Sequence, residues 1–329
     1  MPRSDNLSPV DCLGATTGNH LGLNIVVMFV YTKRAPLFLL LLIASVAFGQ
    51  ETATPKLPAD ASSTALSEDQ IRELIRHTAA NDMENDKRQR DYTYIQREEQ
   101  HKLGGNGQVK STETKTTEIM ELYGEPVERL IAKDDKPLSD KDAKKEEEKI
   151  QKIIEKRKNE SDEDRKKREK KEEKDREDSR KFVSEVADAY NFSFAGIESL
   201  AGRDTYVIDA EPRPGYEGHM KESKFLPKFR FRAWIDKDES QWKKLDIQCI
   251  DTVSWGLFLA RIHKGSRIII EQTRVNDEVW LPQHIDVKVD VRLALLKNFN
   301  VEDDITYRDY QKFRTNTKII PAGEVQPAP

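Results

Sequence analysis

The sequence predicts an α+β fold that is mainly antiparallel β: a curved sheet forming an incomplete (half) barrel, with helices on the concave side and a long charged helical insertion. Apolar and polar residues alternate without exception over residues 284–293, which is typical of a strand with one buried face. Similar runs, separated by turn residues, indicate roughly ten strands, and a sheet of that size must curl. If it curls without closing, helices or a ligand must cover its concave face.

The first 49 residues are predicted to be an N-terminal extension and a cleavable export signal. Lys33 and Arg34 precede an apolar run at residues 37–43, and small residues stand at the offsets of a cleavage site before Gln50. The run is shorter than the ~20 residues that cross a bilayer. We expect translation to start at Met28 and the processed chain to carry no membrane span, with an uncleaved anchor as the alternative.

The cysteine and charge content limits which covalent links and which partners are expected. No cysteine follows the apolar run, so we expect no lipid anchor, and Cys249 is then left without a partner for an intramolecular disulfide. Cys249 lies in an alternating strand, as a core thiol does. The 55 basic and 59 acidic residues nearly cancel, which gives no reason to expect nucleic acid as a partner.

A linker and a helix come next. Residues 50–66 are rich in Thr, Ala, Ser and Pro, and we expect a flexible linker there. Ser67 and Gln70 have the spacing of a capping box, and apolar residues at helical spacing follow, so a helix is predicted from Ser67 to Met83. Its apolar stripe must pack on the sheet.

Residues 67–138 are predicted to form the first part of the half-barrel domain. A strand begins at Tyr92, the glycine-rich residues 104–107 turn the chain, and a second strand runs through residues 109–122. A third strand is predicted at residues 127–132, after Pro126. These patterns indicate a hairpin followed by a further antiparallel strand.

Residues 139–181 are predicted to be a charged helical or disordered insertion. In residues 141–180, 32 of 40 side chains are charged, and acidic residues often stand four positions before basic ones, the favourable order on a helix. We expect a solvated helix that breaks near residues 159–161 and contributes nothing to a core. Such a segment is either a projecting polar insertion or an arm that docks a partner.

Residues 182–313 are predicted to complete the domain, and residues 314–329 to form a flexible tail. A helical segment is expected around residues 182–190, followed by a succession of strands in which apolar and polar residues alternate. Asn276 and Asp277 are predicted to close a hairpin onto the strand of residues 284–293.

The sequence predicts no enzyme, no cofactor and no catalytic or metal-binding residues. Histidines stand far apart and lack a second ligand at metal-binding spacing, at His77, His101, His219, His263 and His284. There is no glycine-rich phosphate loop and no serine in a nucleophile-elbow context. An active site assembled from distant residues would require activity that depends on one specific histidine or carboxylate.

An apolar ligand on the concave face is the alternative to a core sealed by side chains and helices. Burying acyl chains contributes about 0.8 kcal/mol per CH₂, so partial shielding of one chain is already favourable. Alternation does not reveal which residues face a cavity. The candidate lipid-binding residues are Phe229, Phe231, Ile247, Trp255, Leu257, Leu259, Ile268, Ile270, Val287, Val289 and Val291.

The chain resembles the outer-membrane lipoprotein-sorting, or LolA-like, family of periplasmic half-barrel proteins. The resemblance lies in the secretory leader, the helix before Tyr92-Thr93-Tyr94, the hairpin at residues 275–282 and the closing strand at residues 307–313. It implies a non-enzymatic periplasmic protein that binds lipid or the acyl chains of lipoproteins. The charged insertion departs from the plain carriers, and no functional side chain is transferred from the family to a position of this sequence.

Two hypotheses of function follow. The first is a periplasmic LolA-like protein that binds lipid or lipoprotein acyl chains in outer-membrane lipoprotein sorting or envelope lipid traffic. The second is an envelope interaction or sensor protein, in which residues 139–181 dock a protein partner and the sheet core is sealed.

Overall fold

The computed structural model describes residues 65–123, 125–255, 260–293 and 297–312. The predicted export signal, the Met28 start, most of the linker and the tail lie outside these ranges. The elements are α1 (Glu68–Gln89), β1 (Tyr92–Leu103), β2 (Val109–Leu122), β3 (Glu125–Lys133), β4 (Lys136–Pro137), α2 (Asp140–Lys158), α3 (Asp162–Ala189), β5 (Tyr190–Leu200), β6 (Arg203–Pro212), a 3-10 helix (Ser223–Lys228), β7 (Phe229–Asp236), β8 (Trp242–Cys249), β9 (Val253–Trp255), β10 (Ala260–Ile262), β11 (Arg267–Val275), β12 (Val279–Leu293) and β13 (Lys297–Lys312).

All strands belong to one antiparallel sheet. The order across it is β4, β3, β2, β1, β13, β12, β11, β8, β7, β6 and β5, with β10 pairing β12 and β9 pairing β10. In the described residues the edge strands β4 and β5 are not paired with each other, so the sheet is open. The predicted open half-barrel of mainly antiparallel strands is therefore confirmed. Thirteen strands occur in these ranges rather than about ten, because β4, β9 and β10 have only two or three residues each.

The alternation in β12 separates an inner face from an outer face, as predicted. Ile285, Val287, Val289 and Val291 are buried in the main core, whereas Asp286 and Lys288 are exposed. The residues that pair with these four on β11 and β13 are mostly apolar and lie in or against the same core. We call the sheet face that carries this core the inner face.

Helix α1 crosses the inner face from β5 to β12. Its start is fixed by the predicted capping box, in which the backbone N–H of Gln70 donates to Ser67 Oγ and that of Ser67 donates to Gln70 Oε1. Ile71 and Ile75 are buried against the sheet. The helix continues to Gln89 rather than Met83, because polar contacts with the sheet hold its last turns.

The prediction that the charged segment contributes nothing to a core is wrong. Ile150 of α2 is 2% exposed and packs with Met120 and Val127 in a small second cluster. Met120 follows Ile119, which belongs to the main core, so this cluster lies on the outer face of the sheet. Ile150, with Ile153 and Ile154 beside it, gives α2 a narrow apolar stripe.

Residues 182–189 are helical, as predicted, and they form the last part of a longer helix. The helical break lies at residues 159–161, as predicted, but α3 then runs without interruption from Asp162 to Ala189. The charged residues at the start of α3 are exposed, whereas Phe182 and Val183 near its end are buried. One helix therefore joins the charged segment to the core.

Candidate functional site

A cavity of about 80 Å³ lies between α1 and the inner face of the sheet. Its walls come from α1, the end of α3, the start of β5, the 3-10 helix and strands β7 and β8. The lining residues are Ile75, Thr78, Phe182, Val186, Tyr190, Leu226, Phe229, Phe231, Ala233, Ile235, Trp242, Leu245 and Ile247. Almost every lining side chain is apolar, so the cavity suits a hydrocarbon rather than a polar ligand.

The two polar side chains in the lining add little to its polarity. The hydroxyl of Tyr190 donates to the carbonyl oxygen of Leu226 at 2.9 Å, and burial raises the pKa of Tyr190 far above its ordinary value. The Tyr190 ring meets Phe231 edge-on with centroids 4.9 Å apart. Thr78 Oγ1 is buried and makes no hydrogen bond with the part of the chain that the structure describes.

A buried carboxylate fixes the wall that α3 and the 3-10 helix provide. Glu185 accepts hydrogen bonds from the backbone N–H groups of His219 and Met220, both at 2.9 Å, and from the hydroxyl of Tyr216 at 2.7 Å. Burial by itself would raise the pKa of Glu185, but these hydrogen bonds and one from Ser223 hold it below its ordinary value. The charged carboxylate thereby ties the loop before the 3-10 helix to α3.

Polar contacts clamp the second half of α1 to the sheet. Asn85 donates to the carbonyl of Trp280 and accepts from its backbone N–H, both at 2.8 Å. Asn81 donates to the carbonyl of Glu239 at 2.8 Å, and Asp82 accepts from the indole N–H of Trp242 at the same distance. The first half of α1, which covers the cavity, depends mainly on apolar packing and on Arg72, which donates to the carbonyls of Ala187 and Tyr190.

The structure brings three of the predicted lipid-binding residues together at the cavity: Phe229, Phe231 and Ile247. Five others, Ile268, Ile270, Val287, Val289 and Val291, lie on the inner face in or against the main core, away from the cavity lining. Trp255 lies at the end of β9, whereas Leu257 and Leu259 lie outside the described residues.

The helical side of the cavity was not identified from the sequence. Ile75 and Thr78 of α1, and Phe182 and Val186 of α3, stand far from β7 and β8 in the sequence. The apolar stripe of α1 signals a packing face, but no local pattern pairs it with these two strands.

Other features of the described residues do not compete for an apolar ligand. A larger cleft of about 440 Å³ at the junction of α2 and α3 is lined mainly by charged residues, among them Lys152, Glu155, Arg157 and Glu160. Cys249 is buried in β8, and burial raises the pKa of its thiol. Within the described ranges, no helix is both long and apolar enough to cross a membrane.

No family model and no curated protein matches the chain. Solved structures do match. One is described as an outer membrane lipoprotein-sorting protein domain from Vibrio parahaemolyticus, with 10% identity, a TM-score of 0.31 and coverage of 73% of this chain and 94% of that one. A DUF1329 family protein from Desulfovibrio piger has 11% identity, a TM-score of 0.28 and coverage of 73% and 91%.

A LolA superfamily protein from Nitrosomonas europaea matches with 9% identity, a TM-score of 0.25 and coverage of 74% of this chain and 93% of that one. At these identities and TM-scores, the likeness has no bearing on ligand or role, and the open half-barrel rests on the geometry described above. The family that the sequence motifs resemble is thus found among the solved structures to which this chain is similar.

Proposed function

We propose that the chain binds acyl chains of lipids or lipoproteins in the cavity beneath α1, without catalysis. This binding serves outer-membrane lipoprotein sorting or envelope lipid traffic in the periplasm. The apolar cavity supports the proposal, because hydrocarbon gains free energy on leaving water and almost no polar group of the lining opposes it.

The size of the cavity implies that α1 moves when a chain binds. An engineered cavity of about 150 Å³ holds one benzene molecule, so about 80 Å³ has room for only a few methylene groups. A longer chain must displace the first half of α1, where Ile71 and Ile75 pack on the sheet. Each buried CH₂ of the ligand contributes about 0.8 kcal/mol, which offsets the cost of lifting these two side chains from the sheet.

Filling the cavity with a side chain tests the proposal. Ala233 lines the cavity from β7 and is buried, so Ala233→Phe places a ring in the space that an acyl chain would take. We expect at least a tenfold weaker binding of a fluorescent fatty acid. The overpacking cost of about 1–3 kcal/mol is checked by thermal melting, and Ala233→Val serves as a milder variant.

The matched control is Ala143→Phe, the same substitution at an exposed position of α2, which should leave binding unchanged. Mass spectrometry of an organic extract of the purified wild-type protein gives an independent measurement. Equal binding by the wild type and a folded Ala233→Phe variant contradicts the assignment of this cavity. Absence of both extracted lipid and fatty-acid uptake contradicts acyl-chain binding altogether.

A second candidate function is envelope interaction or sensing through the charged segment. One observation favours it: over residues 162–171 of α3, all charged side chains except Arg168 are exposed, and ion pairs such as Lys167–Glu163 support a regular helix. An ordered, exposed, charged helix offers a partner a fixed pattern of charge.

A further inference from the structure

One row of inner-face residues connects the cavity to a buried polar pair. Strand pairing places these residues side by side across β7, β8, β11, β12, β13 and β1. The row consists of Phe231, Ile247, Ile268, Val287, Asp303 and Gln100. Its first four members are apolar and its last two are polar.

The row is slightly longer than the hydrocarbon tail of a membrane lipid in a bilayer. Four steps between adjacent strands separate Phe231 from Asp303, which is roughly 19 Å at about 4.8 Å per step. A bilayer core of about 30 Å is shared by two leaflets, so one tail spans roughly 15 Å. A tail that ends in the cavity at Phe231 therefore brings its head group near Asp303.

Gln100 and Asp303 have unused hydrogen-bonding capacity despite their burial. Gln100 is 3% exposed and Asp303 is 6% exposed. Both side-chain amide atoms of Gln100 and the Oδ1 atom of Asp303 lack a hydrogen-bond partner within 3.5 Å in the ranges that the structure describes. Buried polar atoms are normally paired, and leaving one unpaired costs about 1–3 kcal/mol. Such a cost is recovered if a ligand supplies the missing partners.

Charged side chains lie near Gln100 and Asp303 and influence the protonation of Asp303. Burial, followed by the negative charge of Glu98, raises the pKa of Asp303 to about 7, while hydrogen bonding with Gln100 and the charges of Lys115 and Lys102 lower it. Asp303 therefore exists in both protonation states near neutral pH. In one state its carboxyl group donates a hydrogen bond, and in the other it only accepts.

We propose that Gln100 and Asp303 bind the head group of a single-chain amphiphile, whose tail follows the apolar row to the cavity. The head group is uncharged and carries a hydroxyl or an amide. An amide side chain offers both a donor and an acceptor, and a hydroxyl or amide head satisfies both. An anionic head only accepts and meets the carboxylates of Glu98 and Asp303, whereas an ammonium head only donates. The proposal rests on the acyl-chain binding proposed above and specifies the class of lipid.

Three ligands with the same palmitoyl chain test the head-group preference: 1-monopalmitoylglycerol, methyl palmitate and palmitate. Their affinities are measured by displacement of a fluorescent fatty acid from the full chain. We expect monopalmitoylglycerol to bind about tenfold more tightly than methyl palmitate, which has no donor, and more tightly than palmitate. In the double variant Gln100→Leu, Asp303→Leu, the ratio between monopalmitoylglycerol and methyl palmitate should fall to about one.

The double variant should melt no lower than the wild type, because it replaces buried polar atoms that have no hydrogen-bond partner within 3.5 Å by apolar ones. If it does not fold, Gln100→Met, which keeps the length of the side chain, replaces it. The matched control is His101→Leu with Glu302→Leu, a register pair of β1 and β13 on the outer face. It should keep the tenfold preference.

The outcomes separate this inference from the proposed function. Equal binding of the three ligands by the wild type, or a preference that survives in the double variant, overturns the head-group site and leaves the cavity intact. Tighter binding of palmitate than of monopalmitoylglycerol also overturns it. If none of the three ligands binds the wild type, acyl-chain binding itself is contradicted, and the head-group site with it.

Discussion

Asp82 is a carboxylate that α1 places against the sheet next to the cavity. It accepts hydrogen bonds from Gln241 Nε2 and Trp242 Nε1, both at 2.8 Å. Desolvation raises its pKa from 3.8 to about 7. The two hydrogen bonds lower the pKa, and the negative charge of Asp86 raises it. The folded protein therefore holds a proton on Asp82 more tightly than the unfolded chain does.

This raised pKa makes stability depend on pH. The contribution of Asp82 is fully present below about pH 4 and is lost as the pH rises through about 7. In Asp82→Asn the side-chain oxygen still accepts both hydrogen bonds without titrating. We expect the variant to gain up to about 2 kcal/mol relative to the wild type between pH 5 and pH 8, because Asp82 is only partly buried.

Urea unfolding at pH 5 and pH 8 measures the difference. Asp303, whose pKa is also raised, acts in the same direction, so the variant should lose only part of the pH dependence. A difference between variant and wild type that is the same at both pH values contradicts this role for Asp82.

Among the individual residues of the cavity, only some were predicted from the sequence. Phe229, Phe231 and Ile247 were predicted because alternation places them on a buried face, and they do line the cavity. Val287 and Val289 alternate just as regularly but pack in the core. A period of two reports the face of a sheet, while the position of α1 decides which part of that face keeps a cavity.

Helix α1 is held differently at its two ends, and Asn85 is the centre of its polar clamp. Asn85→Ala removes both hydrogen bonds to the backbone of Trp280. The Trp280 carbonyl keeps a bond from Gln89, but its buried N–H loses its partner. We expect a loss of about 2–3 kcal/mol in the free energy of unfolding, measured with urea.

Lys87→Ala on the same helix is the control, because its ion pair with Glu84 is exposed and contributes little. If both variants lose the same stability, the clamp does not hold α1.

Elements with a strong local signal were predicted well. Asn276 and Asp277 both have positive φ, 51° and 54°, the conformation that the predicted two-residue turn requires. The three isoleucines of α2 were not recognised as a packing stripe, because a surrounding run of charges hid their helical spacing. Their partners on β2 and β3 lie on the outer face, where the sequence gives no reason to expect a helix.

For the whole molecule, the charged segment divides into a part that belongs to the folded domain and a part that does not. Ile150→Ala should cost about 2 kcal/mol, since it empties a buried position against Met120 and Val127. Exposed lysines of α3 should matter much less. Replacing four of them by glutamine should change the free energy of unfolding by less than about 1 kcal/mol. These are Lys166, Lys167, Lys170 and Lys171.

The two variants are each other's control, and both are measured by urea unfolding together with fatty-acid binding. We expect the lysine variant to bind fatty acid as the wild type does. A larger loss of stability in the lysine variant than in Ile150→Ala contradicts the assignment of α2, rather than the exposed part of α3, to the folded domain.

Helix α3 runs unbroken from the exposed residues near Asp162 to the buried residues near Ala189. If it moves as one body, a tilt of its exposed end moves Phe182 and Val186 in the cavity wall. A partner bound to the exposed end would thus change the volume of the cavity, and a bound acyl chain would change the tilt of the helix. Thermodynamic linkage requires the two effects to be equal in free energy, so the partner would change the affinity for the acyl chain by the same factor as the acyl chain changes the affinity for the partner.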